Sequence, residues 1–201
     1  METSTVLSLL PALILFSISA TLTPGPNNIL LAYSGANFGF RKTLPHIVGI
    51  RIGMTCMHLA MLLGLGKLFE QYPMLHQVLS VFAASYIIYL AIKIAHGKPN
   101  SRNSSASPMT FRQAALFQLV NPKSWAMLLT LVTALTLPNE QYWPSALLGV
   151  IVFNLATLPC SFFWVGVGRY LKGFLQNPQK LKRFNLVMAS LLLLTLPLIF
   201  Y

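Results

Sequence analysis

Six residues, Thr23-Pro24-Gly25-Pro26-Asn27-Asn28, interrupt an apolar run that is otherwise long enough to cross a bilayer. Each proline lacks a backbone donor, and its ring clashes with the carbonyl four residues earlier. Pro24 therefore frees the carbonyl of Ala20, and Pro26 that of Leu22. In hydrocarbon an unpaired carbonyl is costly, so such a break persists only where protein or a water-lined cavity receives it. A helix restarting at Pro26 or Asn27 also points unpaired N–H groups and the positive end of its dipole into the same place. Freed carbonyls suit a cation and freed amides suit an anion; side by side they suit a zwitterion. Thr23, Pro24, Gly25, Pro26, Asn27 and Asn28 are thus the first candidate binding residues. The plainer alternative is a structural kink held by neighbouring helices.

Composition agrees with a chain built for lipid. Of 201 residues, 55% are hydrophobic and 8% charged, against about 25% charged in a soluble domain. The net charge of +11 does not point to nucleic acid, because the basic residues stand in short clusters between apolar runs, as membrane topology requires. Apolar runs of spanning length predict six membrane helices, at residues 5–34, 44–67, 75–95, 112–137, 143–168 and 184–201. Ser17, Ser19 and Ala20 imitate a signal-peptide cleavage site, but no basic segment precedes them, so the first span is expected to be retained.

Charge orients the spans. Arg41 and Lys42 follow the first, and Lys93, Lys98, Arg102 and Arg112 surround a linker rich in Ser, Asn and Pro. Arg169, Lys172, Lys180, Lys182 and Arg183 follow the fifth. Eleven of the fourteen basic residues thus share one side, and Lys67 with the acids Glu2, Glu70 and Glu140 takes the other. The positive-inside rule then puts both termini outside the cytoplasm. The expected fold class is an all-α polytopic membrane protein with one transmembrane domain over 1–201. Its first half is 1–96, its cytoplasmic linker 97–111 and its second half 112–201.

Three spans per half is an odd number, so related halves must be inverted in the membrane, as in many secondary transporters. A second break supports this. Asn121-Pro122-Lys123 lies inside the fourth span, and Pro122 frees the carbonyl of Gln118. Asn28 to Phe38 and Phe111 to Asn121 are both ten residues apart. At ~1.5 Å per residue each break lies roughly 15 Å deep, near the midplane of a ~30 Å core. Asn121, Pro122 and Lys123 join the candidate binding residues; Lys123 alternatively snorkels to an interface.

The second span adds Arg51, Thr55 and His58 on one stripe, with Gly49 and Gly53 forming a small face for close packing or for a homodimer contact. An arginine at mid-depth needs a partner, and no acid lies in any span. A substrate carboxylate would supply the missing anion; backbone carbonyls or snorkelling are the alternatives. His58 is a candidate proton relay because imidazole titrates near neutrality; a neutral packing histidine is the alternative. His46, His76 and His96 lie near span ends and are expected at the interface. Trp125, Trp143 and Trp164 fit membrane belts or packing.

Several of these stretches together resemble the LysE/RhtB family of amino-acid exporters. They are Thr23 to Asn28, Gly39-Phe40-Arg41, Gly64-Leu65-Gly66, the run from Ala84 to Leu90 (Ala-Ser-Tyr-Ile-Ile-Tyr-Leu), and Asn121-Pro122-Lys123-Ser124-Trp125. The resemblance covers nearly the whole chain in the same order and spacing. It implies a six-span carrier of the bacterial inner membrane that exports amino acids and is driven by the proton gradient. The branch it looks closest to exports cysteine, O-acetylserine, homoserine or threonine-like substrates. Arg51 and His58 stand outside the general family pattern.

The expected function is export of small neutral amino acids or their derivatives by proton antiport and alternating access. The substrate carboxylate would rest between Pro26-Asn27 and Arg51, and its ammonium on the carbonyls of Ala20, Leu22 and Gln118. The expected partners are the amino acid, protons and the bilayer. The chain carries no metal-ligand spacing or cofactor motif. A second reading, a thiol–disulfide electron relay, would use Cys56 and Cys160. A membrane enzyme is disfavoured because the spans contain no Asp or Glu, and His58 has no ligand partner at helical spacing.

Overall fold

The computed structural model describes residues 2–64, 71, 73–96 and 107–199, and these form helices, turns and connecting segments without a strand. The helices are α1 (Glu2–Leu7), α2 (Leu10–Leu22), α3 (Pro26–Phe38), α4 (Phe40–Leu62), α5 (Pro73–Ala95), α6 (Phe111–Phe117), α7 (Pro122–Ala134), α8 (Tyr142–Leu171) and α9 (Pro178–Leu193). Most of the linker and the Leu65-Gly66 end of the second-span motif fall outside the described residues.

Prolines set several of the starts. α3, α7 and α9 each begin at a proline, whose missing N–H costs nothing at the first helical position. The predicted first span is indeed two helices, α2 and α3, separated by extended backbone at Thr23 and Gly25. The predicted fourth span is α6, a single 3-10 turn at Gln118–Val120, an extended Asn121, and then α7. Thr110 and Gln113 close a reciprocal cap on α6. α3 and α4 are joined by Gly39 alone, at φ +80°, a backbone conformation that favours glycine. The reversal is pinned by Thr43, which donates to the Gly39 carbonyl at 2.8 Å and pairs with Ser34 at 2.8 Å.

Helices meet through small residues. α3 packs on α8 so closely that a Cβ on Gly35 would collide with the Val165 carbonyl, and one on Gly168 with the Ala32 carbonyl. α4 packs on α6 in the same way, with Gly49 against the Phe111 carbonyl and Gly53 against that of Ala115. The Gly49/Gly53 face is therefore filled within the chain and is not free for a second copy. α2 also lies on α8, and α5 pairs with α9.

The surface is apolar and the interior carries polar groups. Leu15 (70% exposed), Leu155 (68%) and Leu116 (65%) face outward, while Ser17, Asn28, Gln118, Asn121, Thr157 and Asn185 are buried. That inverts the arrangement of a water-soluble domain and suits a bundle whose solvent is lipid. Thr5–Leu22 and Asn139–Leu171 are each long and apolar enough to cross a bilayer, with mean hydropathies of 2.1 and 2.0. His46 is buried on α4, three residues before Gly49.

Candidate functional site at two helix breaks

The two breaks, 100 residues apart in the chain, meet in the fold. Gly25, Asn27 and Asn28 from the first and Asn121, Lys123 and Ser124 from the second line one small cavity. Arg51 of α4 and Phe153 and Ser161 of α8 are among its other lining residues. Its volume is about 20 Å³, room for about one water.

Two of the three freed carbonyls, those of Ala20 and Gln118, have a traceable partner. Thr23 turns its hydroxyl back to the Ala20 carbonyl (2.8 Å), so that carbonyl is satisfied locally. Asn28 donates its side-chain amide to the carbonyls of Thr21 (2.6 Å) and Thr23 (2.8 Å), bridging the end of α2 to the start of α3. The carbonyl of Gln118 accepts from the Asn121 amide (3.3 Å). The carbonyls of Ala20 and Gln118 therefore already hold donors, and the oxygens that receive a cation are others. Lys123 crosses from the second break to the first. Its ammonium donates to Thr23 Oγ1 (2.7 Å), to the Thr23 carbonyl (2.5 Å) and, more distantly, to the Pro24 carbonyl (3.4 Å). Its stem lies over Gly25, where a Cβ would sit 2.6 Å from Lys123 Cδ.

A second bridge joins the breaks. Asn27 and Gln118 exchange amide hydrogen bonds at 2.8 and 3.1 Å, and Gln118 also accepts from Ser124 (2.8 Å) and donates to the Ala114 carbonyl (2.8 Å). Both ends of the Gln118 carboxamide are thus occupied. Sequence reasoning used only its carbonyl; the signal for more was a glutamine in the middle of an apolar span. Trp125 donates to the Leu119 carbonyl (2.9 Å), so it serves the break as well as the packing.

Arg51 points its Nη1 at Thr157 Oγ1 of α8, and its guanidinium lies 5.9 Å from the centre of the Phe153 ring. Its Nε is buried without a hydrogen-bond partner. Thr157 was not anticipated, because lone hydroxyls on apolar helices give little signal. Thr55 bonds to the Arg51 carbonyl (2.9 Å) and to Asn154 (3.1 Å). His58 is buried edge-on to Phe153, with ring centres 6.3 Å apart, and is not part of the cavity lining. Pro26 and Pro122 act as the first residues of α3 and α7. Cys56 and Cys160 are both free thiols; the first is exposed on α4 and the second buried on α8.

A model of the LysE type translocator family matches residues 18–200. The chain belongs to that family. Among LysE-type relatives, the cysteine/O-acetylserine efflux protein of Escherichia coli (strain K12) is 31% identical over 201 residues, covering 96% of this chain and 98% of the relative. The protein of that name from Klebsiella pneumoniae is 31% identical over 141 residues, covering 68% and 70%. An uncharacterized membrane protein of Vibrio cholerae is 25% identical over 186 residues, covering 90% of each. No solved structure matches. LysE-type membership makes the chain a membrane translocator and not an enzyme, and it speaks against the thiol relay.

Proposed function

We propose that this LysE-type translocator exports a small neutral amino acid or derivative, of the cysteine or O-acetylserine kind, across the bacterial inner membrane. The observation that carries the reading is one cavity lined by both helix breaks and by Arg51, with no acid among its lining residues. The α3 terminus has no side-chain cap, so its first amides and the unpaired Nε of Arg51 suit a carboxylate. The oxygens of Thr23 and Pro24 suit an ammonium. A cationic side chain would meet Arg51 and find no carboxylate. The names of the Escherichia coli and Klebsiella relatives agree with this substrate class.

A cavity of about 20 Å³ does not hold an amino acid, so loading requires the two halves to part, which is alternating access. The reading takes the halves as three-span units inverted with respect to each other, six spans in all, with both termini outside. The packing supports it: first span on fifth, fourth on second, third on sixth is the pattern that exchange of two inverted halves produces. Proton antiport is part of the proposal.

The test is export from cells overproducing the protein, over a panel of neutral and basic amino acids. Neutral substrates such as cysteine, O-acetylserine and homoserine are expected to leave the cells and lysine is not. Arg51→Ala, correctly inserted, is expected to lower export by tenfold or more, the weight of about one charge-assisted hydrogen bond. Export by that variant at the wild-type rate would overturn the site assignment.

A further inference from the structure

The site holds a cation of its own. The Lys123 ammonium sits against Thr23 Oγ1, the Thr23 carbonyl and the Pro24 carbonyl, three oxygens for a group with three N–H donors. No carboxylate shares the cavity, and the only other charge lining it is the cationic Arg51 of α4. From α2 and α3 the lysine faces hydroxyl, amide and carbonyl groups; from α8 the cavity receives Phe153 and Ser161, neither of them charged. The lysine is thus held by neutral oxygens alone, at the carbonyl end of a broken helix.

We infer that Lys123 is a tethered stand-in for the substrate, and that its ammonium and the α-ammonium of the amino acid occupy the Thr23/Pro24 cradle by turns. The inference rests on the export reading above and assigns its coupling step. Both groups are primary ammonium ions that ask for the same three oxygens, and the cradle has room for one. Gly25 belongs to the device. With no side chain, it lets the lysine stem lie flat across the break; any Cβ there would strike Lys123 Cδ.

The exchange moves a proton. When substrate enters from the cytoplasm, its carboxylate pairs with Arg51 and its ammonium takes the cradle. Lys123 is then displaced from its three oxygens beside a cavity that the cationic Arg51 also lines, and repulsion between like charges there favours loss of its proton. Its N–H bond breaks, the electron pair stays on Nζ, and the proton passes to the cytoplasm. On the outer side Nζ takes a proton from that solution, returns to the cradle and expels the amino acid. One zwitterion leaves and one proton enters per cycle, with no oxidant or other reactant required. The empty carrier returns closed because its own lysine fills the place of the substrate.

The experiment uses the full chain in liposomes of phosphatidylethanolamine and phosphatidylglycerol, with labelled cysteine kept reduced as the probe. Two transport modes are read. Exchange of labelled for unlabelled cysteine needs only binding on both faces; uptake into acid-inside liposomes needs the proton step. Lys123→Met is expected to bind cysteine several-fold tighter for want of a competitor, and its acid-driven uptake is expected to fall about tenfold or more relative to its own exchange rate, because no group is left to carry the proton. Lys123→Arg keeps a cation that does not release its proton, so it is expected to lose both modes. Gly25→Ala, which displaces the lysine stem, is expected to lean toward the methionine phenotype. Acid-driven uptake that survives in Lys123→Met overturns the inference, as does loss of exchange together with uptake in that variant, or identical behaviour of Met and Arg. If the wild-type protein exchanges none of the panel amino acids, the export reading itself fails, which is a separate result.

Discussion

At the second break the chain settles its own accounts within a few residues. Asn121 caps α7 by accepting from the Lys123 amide (3.2 Å), its backbone bonds to Gln118, and Trp125 covers the Leu119 carbonyl. At the first break Thr23 and Asn28 serve the Ala20, Thr21 and Thr23 carbonyls locally, but the cap is Gly25, which has no side chain to offer, and a further donor to the Thr23 and Pro24 oxygens comes from Lys123, about a hundred residues away. The two breaks share proline chemistry, yet only the first takes a cation from the other end of the chain. A break completed locally is an element of fold; one completed from the other half is a joint between halves. That asymmetry is why the proposed exchange is assigned to the first break.

The comparison can be broken by swapping what each cap does. The largest expected effect is at Gly25. Gly25→Val overpacks the cavity against Lys123, at a cost of about 1–3 kcal/mol, and transport is expected to fall below detection in protein that still inserts. Its counterpart at the second break, Asn121→Ala, is expected to cost only about 1 kcal/mol, the worth of one helix cap, read as a lower melting temperature in detergent with transport retained. A transport loss in Asn121→Ala as deep as in Gly25→Val would end the distinction.

The bridge between the breaks gives an intermediate effect. Asn27→Leu and Gln118→Leu each strand a part-buried carboxamide and are expected to destabilise by about 1–3 kcal/mol. The double variant is expected to be less destabilised than the two losses added, with a coupling of about 0.5–2 kcal/mol. Thermal unfolding followed by circular dichroism measures all three. Strict additivity would mean that the pair contributes nothing across the halves.

The smallest effect is expected at the thiols. Replacing Cys56 and Cys160 together with serine is expected to leave export within about twofold of wild type, because a Cys→Ser change alters a buried site by well under 1 kcal/mol when the hydroxyl bonds back to its own helix. Complete loss of activity in correctly inserted protein would revive the electron-relay reading.

Much of this was legible before any fold was known. Proline acts on the carbonyl four residues before it, so Pro24, Pro26 and Pro122 announced both breaks, and the helices start where they do for that reason. Arg51 announced a need for an anion. The identity of its hydroxyl partner, Thr157, was not legible, since threonines on apolar helices are common and most bond back to their own turn. The burial of His46 was not legible, since a place near a span end does not say which way the helix turns a side chain. Cys56 and Cys160 looked equivalent from their places in corresponding spans, and only helix rotation separates one exposed thiol from one buried thiol.

The sequence alone determined where the membrane helices break, which groups those breaks release and that the chain carries no acid to balance Arg51, because each of these depends on residues within a turn or two of one another. The tertiary structure alone decided that the breaks meet, that Asn27 faces Gln118 and that Lys123 rests on Thr23. Those pairings join positions 91 and 100 residues apart, and they exist only because glycine-lined crossings bring the backbones of the two halves close enough for side chains to reach across.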